Sequence, residues 1–148
     1  LGIAMSCDIR IAAEGSQFVI PAAKLGIAYG FDMVRLLVAL VGPAHAHMIL
    51  MTGERFDARE AERVGLINRM VPAAELAAAV AKLTATLAQN APLSLYANKQ
   101  IVKAVLQDER DRDMVAINAA MAACFDSADY REGRTAFMAK RKPVFAGR

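Results

Sequence analysis

The segment from Leu50 to Pro72 constrains the fold of this chain more than any other. An apolar helix ends at Thr52-Gly53, and a short turn follows that carries Phe56. A second short helix is predicted from Ala58 to Val64, where Gly65 stops it. Leu66-Ile67 then reads as strand-like and leads to Val71-Pro72. Helix, turn, helix and strand follow one another closely, so the segment reads as part of an α/β unit.

The residues before it carry the same kind of punctuation. Leu1–Ser6 is small and apolar, and the alternation Ile9/Arg10/Ile11 predicts a short strand with one face buried. Glu14-Gly15-Ser16 is a turn, and Gln17–Ile20 is a second strand stopped by Pro21. Residues 22–31 hold Gly26 and Gly30 without a clean period and read as a loop. Asp32 precedes a predicted helix, Met33–Leu40, closed by Gly42; Pro43 suits the first turn of the next, Ala44–Met51.

Beyond Pro72 the pattern becomes helical. Leu76, Val80, Leu83 and Leu87 form one buried stripe on a helix ending near Asn90. Pro92 starts another, with Leu95, Val102 and Leu106 predicted to face inward. Asp108–Asp113 alternates in charge and reads as a solvated helix edge; Met114, Ile117, Met121 and Cys124 form a third stripe. A short helix is expected within Ser127–Lys142. The division is therefore an α/β part over residues 1–72 and a helical part over 73–148.

Composition excludes several classes. A hydrophobic share of 56% excludes a disordered chain. The most apolar run, Leu36–Met51, is split by Gly42-Pro43 and carries His45 and His47, so no membrane span is expected. No secretory or transit pattern is visible, and Cys7 and Cys124 are too few for a disulfide framework, so a reducing cytoplasm is expected. No metal site, phosphate loop or nucleophile–base pair can be assembled, and His45 and His47, two apart on a helix, do not share a face. Residues 131–148 hold six Lys/Arg against Glu132, a local charge of +5 within a total of +3. That cluster fits an anionic ligand; nucleic acid is disfavoured because no recognition motif accompanies it.

Four stretches, in order, resemble the crotonase family of enoyl-CoA hydratases and isomerases. Residues 50–72 are similar to the family's L-T-G-x-x-x-x-A-x-E-A-x-x-x-G-L-V-x-x-V-V-P segment. Residues 4–13, Ala-Met-Ser-Cys-Asp-Ile-Arg-Ile-Ala-Ala, resemble its C-D-x-R-I-A strand entry, and Ala91-Pro92 with Lys99 resembles a later helix start. Residues 127–145 resemble its terminal S-x-D-x-x-E-G-x-x-A-F-x-x-K-R-x-P-x-F. The resemblance covers a little over half of such a protein and implies a crotonase (ClpP-like) fold. Residues 1–72 would be the C-terminal part of the ββα core and residues 73–148 a helical trimerisation layer. The chain is thus expected to be a fragment, lacking an N-terminal portion.

The resemblance also implies the chemistry: an acyl-CoA thioester passing through an enolate held by two backbone N–H donors. One donor would lie in the absent portion and the other just before Leu1, with α-helical Leu1–Met5 facing the thioester. The family's two hydratase glutamates fall at Gly2 and Ala22, neither of which can transfer a proton. The usual P-G-A-G-G-x-x-R-L stretch reads Tyr29-Gly30-Phe31-Asp32-Met33-Val34-Arg35-Leu36, one residue shorter. Asp32 and Tyr29 are the ionisable side chains near that wall; an N-cap role for Asp32 and a packing role for Tyr29 compete with catalytic ones. Phe137 and Lys140 occupy the positions that contact coenzyme A in the family, an aromatic beside adenine and a lysine near phosphate. A homotrimer or dimer of trimers is implied, with no separate cofactor. Two functions compete: an enolate-forming acyl-CoA enzyme, or an inactive acyl-CoA-binding or assembly subunit.

Overall fold

A single turn of helix, α1 (Gly2–Met5), opens the chain and buries Met5. The computed structural model describes residues 1–148, which divide into two compact units, Leu1–Ala81 and Lys82–Arg148. In the first, β1 (Ile11–Ala13) pairs parallel with β4 (Arg69–Val71), Ala12 opposite Met70. β2 (Gln17–Phe18) pairs antiparallel with β3 (Phe56–Asp57), placing Phe18 opposite Phe56 with ring centroids 5.8 Å apart.

The first strand is shifted from its expected place, and its alternation is inverted. Ile9 is exposed whereas Arg10 is buried. Burial of a guanidinium is tolerable only if its donors are satisfied. Arg10 Nε donates to the Leu66 carbonyl at 2.7 Å, and Nη1 donates to the Cys7 carbonyl. Its backbone N–H donates to Asn68 Oδ1 at 2.8 Å, and Asn68 N–H returns a bond to the Arg10 carbonyl at 2.9 Å. Burial pushes the guanidinium pKa down, opposed by the nearby Cys7 and Asp8. This requirement also explains why Leu66-Ile67 is not a strand. Both side chains are buried, but they sit in a bend whose Leu66 carbonyl serves Arg10, and the strand begins at Arg69.

Helix α2 (Phe31–Thr52) is broken where Gly42 takes φ 73, ψ 165. That conformation is accessible almost only to glycine, and Pro43 then enters the first turn of the second segment, as expected. The intact span would be long and apolar enough to cross a bilayer, but the break leaves segments 31–41 and 43–52. Each is about half the length a bilayer requires. Leu37, Val41, Ala46 and Ile49 face the core with Ala61 and Leu66. Gly53 (φ 57) closes α2. α3 (Ala58–Arg63) follows, capped by Asp57 accepting from Glu60 N–H at 2.8 Å.

No strand occurs beyond Val71. α4 (Leu76–Ala88) keeps Leu76, Leu83 and Leu87 half-buried and Val80 exposed. α5 (Pro92–Val105) packs against α6 (Met114–Asp126), but not through the expected face. Ala97 and Ala104 are the buried residues, while Leu95, Val102 and Leu106 are exposed. On α6, Ile117 is buried and Cys124 half-buried, whereas Met114 and Met121 are exposed. The mixed-charge run is exposed apart from half-buried Arg112, whose Nε donates to the Ala104 carbonyl at 3.0 Å. Yet it is a tight turn over Glu109–Asp111 rather than a helix edge, and Asp113 caps α6 through Ala116 N–H. α7 (Ala128–Met138) is capped by Ser127, whose Oγ accepts from Tyr130 N–H at 2.9 Å.

Candidate functional site

Gly2, Ala22, Tyr29 and Asp32 all belong to the first unit, and the fold brings two of them together. The backbone of Gly2 is helical, so nothing in its conformation demands glycine. A Cβ built there would lie 3.4 Å from Met33 Sδ and 3.6 Å from the Tyr29 hydroxyl, both ordinary contacts. Tyr29 is half-buried with its ring against the core cluster, and its hydroxyl makes no hydrogen bond within the protein.

Ala22 is buried, and its carbonyl accepts from Leu25 and Ile27 N–H, both at 3.1 Å. Its methyl group therefore packs into the wall and contributes no polar function. Asp32 corrects an expectation. The N-cap of α2 is Gly30, with no side-chain cap, and Asp32 lies exposed in the first helical turn. It favours the helix through the macrodipole rather than through a capping bond.

A second cluster in this unit was not legible beforehand. A cleft of about 420 Å³ is lined by His45, Ile49, Phe56, Glu60 and Arg63. His45 Nδ1 lies 3.1 Å from the Val41 carbonyl and so carries the proton, leaving Nε2 to accept from Arg63 Nη2 at 3.4 Å. Arg63 also donates twice to Glu60 at 2.6 Å, and these bonds hold the Glu60 carboxyl below its usual range. The helical spacing of Glu60 and Arg63 was the available signal; the approach of His45 depends on the fold.

In the second unit, a groove of about 480 Å³ is lined by Phe125, Tyr130, Arg134, Phe137 and Phe145. Phe125 meets Tyr130 edge-on at 5.5 Å, and the Arg134 guanidinium lies 5.7 Å from the Tyr130 ring centre. Phe137 is exposed, offering a free aromatic face. Lys140 lies just past the end of α7 in a left-handed conformation, φ 51, with its side chain exposed.

Two carboxylates on α7 fix the chain around Lys140. Glu132 accepts from Arg141 at 2.6 and 2.8 Å and from Val144 N–H at 3.0 Å, which holds its carboxyl down at about 2. Buried Asp129 accepts from Ala146 and Gly147 N–H at 2.7 and 2.9 Å. Arg141 is therefore neutralised, and the basic cluster is narrower than its net charge implies. Both carboxylates stand in the S-x-D-x-x-E spacing, but only the folded tail reveals what they hold.

The chain matches the family model described as Enoyl-CoA hydratase/isomerase over residues 1–148. It is 38% identical over 143 residues to a crotonyl-CoA hydratase of Syntrophomonas wolfei, covering 97% of this chain and 55% of that protein. It is 36% identical over 140 residues to a short-chain-enoyl-CoA hydratase of Clostridium acetobutylicum, covering 95% and 54% respectively. Among solved structures, an enoyl-CoA hydratase subunit I from Geobacillus kaustophilus superposes with a TM-score of 0.88 at 34% identity, covering 99% of this chain and 57% of that one. The chain thus spans about half the length of these relatives.

Proposed function

The chain belongs to the enoyl-CoA hydratase/isomerase family, with the C-terminal part of the crotonase fold, and from that premise we propose that the whole protein binds an acyl-CoA thioester and forms its enolate without ordinary hydratase chemistry. The observation that carries this reading is the pair Gly2 and Ala22, which present no acid or base where the resemblance places the two glutamates. Water addition to an enoyl thioester needs one group to activate water and another to deliver a proton. An enolate reaction with fewer proton transfers remains open to such a site, provided backbone N–H donors hold the thioester oxygen.

Coenzyme A would be recognised in part by Phe137 and Lys140. The exposed aromatic face suits adenine, and the free ammonium suits a phosphate. The coenzyme is part of the substrate, and the reading calls for no further cofactor. A homotrimer or dimer of trimers in the cytoplasm completes the proposal, supported by the outward Leu95, Val102, Leu106 and Val115, which need cover.

A second reading is an inactive acyl-CoA-binding or assembly subunit, which the absence of carboxylates at positions 2 and 22 also favours. One experiment separates the two: the intact natural protein is incubated with butyryl-CoA in heavy water and the α-carbon is followed by NMR. The enolate reading expects protein-dependent deuterium incorporation. Tight binding by calorimetry with no incorporation would establish the second reading instead.

A further inference from the structure

We propose that the Tyr29 hydroxyl is the proton-donating group of the acyl-CoA site, standing in the space that a carboxylate from position 2 would enter. This rests on the enolate reading given above, and it names the group that reading leaves unassigned.

The geometry at Gly2 is the starting point. Outside the local chain, the two atoms within 4 Å of a Cβ at this position are Met33 Sδ and the Tyr29 hydroxyl oxygen, at 3.4 and 3.6 Å. A side chain built out from position 2 would start beside a thioether and this hydroxyl. A thioether carries no proton to give, so the hydroxyl is the one protic side-chain group within 4 Å of that Cβ.

Tyr29 is also held in place. Its ring packs on the core cluster of the first unit. The next residue, Gly30, caps α2, and its carbonyl accepts from Val34 N–H at 3.0 Å. A tyrosine with a packed body ordinarily uses its hydroxyl on a protein partner. Here the hydroxyl bonds to nothing in the protein, and no sealed unsatisfied oxygen exists in the structure, so it opens to solvent or ligand. Asp32 is the neighbouring ionisable group, but it lies exposed on the helix turn and does not contact position 2.

The step is simple to balance. The Tyr29 O–H bond breaks and its proton bonds to the α-carbon through the electron pair of the enolate C=C. The thioester C=O re-forms, and the phenolate is reprotonated from water. Run in reverse, the same steps exchange the α-hydrogen with solvent.

The test uses the intact natural protein with butyryl-CoA in heavy water, comparing wild type, Tyr29→Phe, and Tyr29→Phe combined with Gly2→Glu. Phenylalanine preserves the packed ring and removes only the hydroxyl. Exchange should fall about 100-fold in Tyr29→Phe, the low end of what a positioned acid contributes, while the dissociation constant for butyryl-CoA changes less than about threefold, since packing is kept. Adding Gly2→Glu should restore exchange at least about tenfold, because the carboxylate enters the same space. Tyr29→Phe exchanging as fast as a wild type that exchanges would overturn the role of Tyr29 alone. Parallel loss of exchange and affinity without rescue would make Tyr29 a packing residue. A wild type that binds but does not exchange would remove the enolate reading and this proposal together.

Discussion

Arg10 has one of the side chains most often found on a surface, and here it is buried because the Leu66 and Cys7 carbonyls accept from its guanidinium while Asn68 Oδ1 accepts from its backbone N–H. The two carbonyls would lose a donor if the side chain were truncated. Arg10→Met keeps most of the apolar stem and removes those bonds, so the intact protein should lose about 2–4 kcal/mol, the summed cost of stranded acceptors. Urea denaturation measures this directly, and a loss below about 0.5 kcal/mol would show that water replaces the guanidinium without penalty. Lys140 makes a different kind of contribution. Its ammonium is exposed and unpaired in the fold, so Lys140→Ala should leave stability unchanged. Affinity for butyryl-CoA should drop about tenfold, the worth of one charge-assisted contact, and the drop should shrink at high salt. Equal affinity by calorimetry for both forms would remove Lys140 from the binding surface.

Among the elements, the turn after α3 and the C-terminal tail carry the most definite expectations. Gly65 has φ 82, and a Cβ there would lie 2.9 Å from the Leu40 carbonyl oxygen, whereas Gly15 has φ 85 with open space around it. Gly15→Ala should therefore cost about 1 kcal/mol, the backbone term alone, and Gly65→Ala clearly more, because the α3 turn must move away from α2. Equal melting shifts would show that the close approach relaxes freely. Glu132 has its carboxyl pKa lowered to about 2 against an ordinary 4.5 by Arg141 and Val144 N–H. A lowered folded pKa binds fewer protons than the unfolded chain, so its stabilisation is present above about pH 4.5 and is lost as pH falls toward 2. The protection of Val144 N–H against hydrogen exchange, relative to an unfolded amide at the same pH, should fall over that window, and Glu132→Gln should flatten the response. An unchanged pH profile in the variant would place the acid sensitivity elsewhere.

These elements also show what the sequence could reveal. The Gly42-Pro43 break, the stop at Gly65 and the start at Pro92 are local backbone preferences, so they were legible from residue type. The facing side of α5 was not, because the helix has two apolar sides. Ala97 and Ala104 permit close approach to α6, and the larger Leu95, Val102 and Leu106 point away, which a hydrophobicity pattern ranks the wrong way round. The burial of Arg10 is hidden for a related reason: the Leu66 carbonyl that accepts from its Nε lies near in space and far in sequence. At the candidate sites, Gly2 and Tyr29 were each visible as residues, but their 3.6 Å approach, and the clamp of Glu132 on Arg141, exist only once the chain is folded.

For the whole molecule, both units expose large apolar side chains, Phe31 and Met51 in the first and Val115 and Met138 in the second. Such surfaces are covered in stable assemblies, so light scattering on the intact protein should give a trimer or a dimer of trimers. A monodisperse monomer would contradict the assembly proposed here.

The reaction itself is best tested by hydration of crotonyl-CoA, followed through loss of the enoyl absorbance. With Gly2 and Ala22 where two carboxylates would act, and each such group contributing about 10² to 10⁴ in rate, turnover by the intact protein should lie near the uncatalysed background. Its binding of saturated acyl-CoA should nonetheless persist. Hydration at an ordinary enzymatic efficiency, about 10⁴ M⁻¹s⁻¹ or above, would contradict the reading of positions 2 and 22 as the place where hydratase chemistry has been lost.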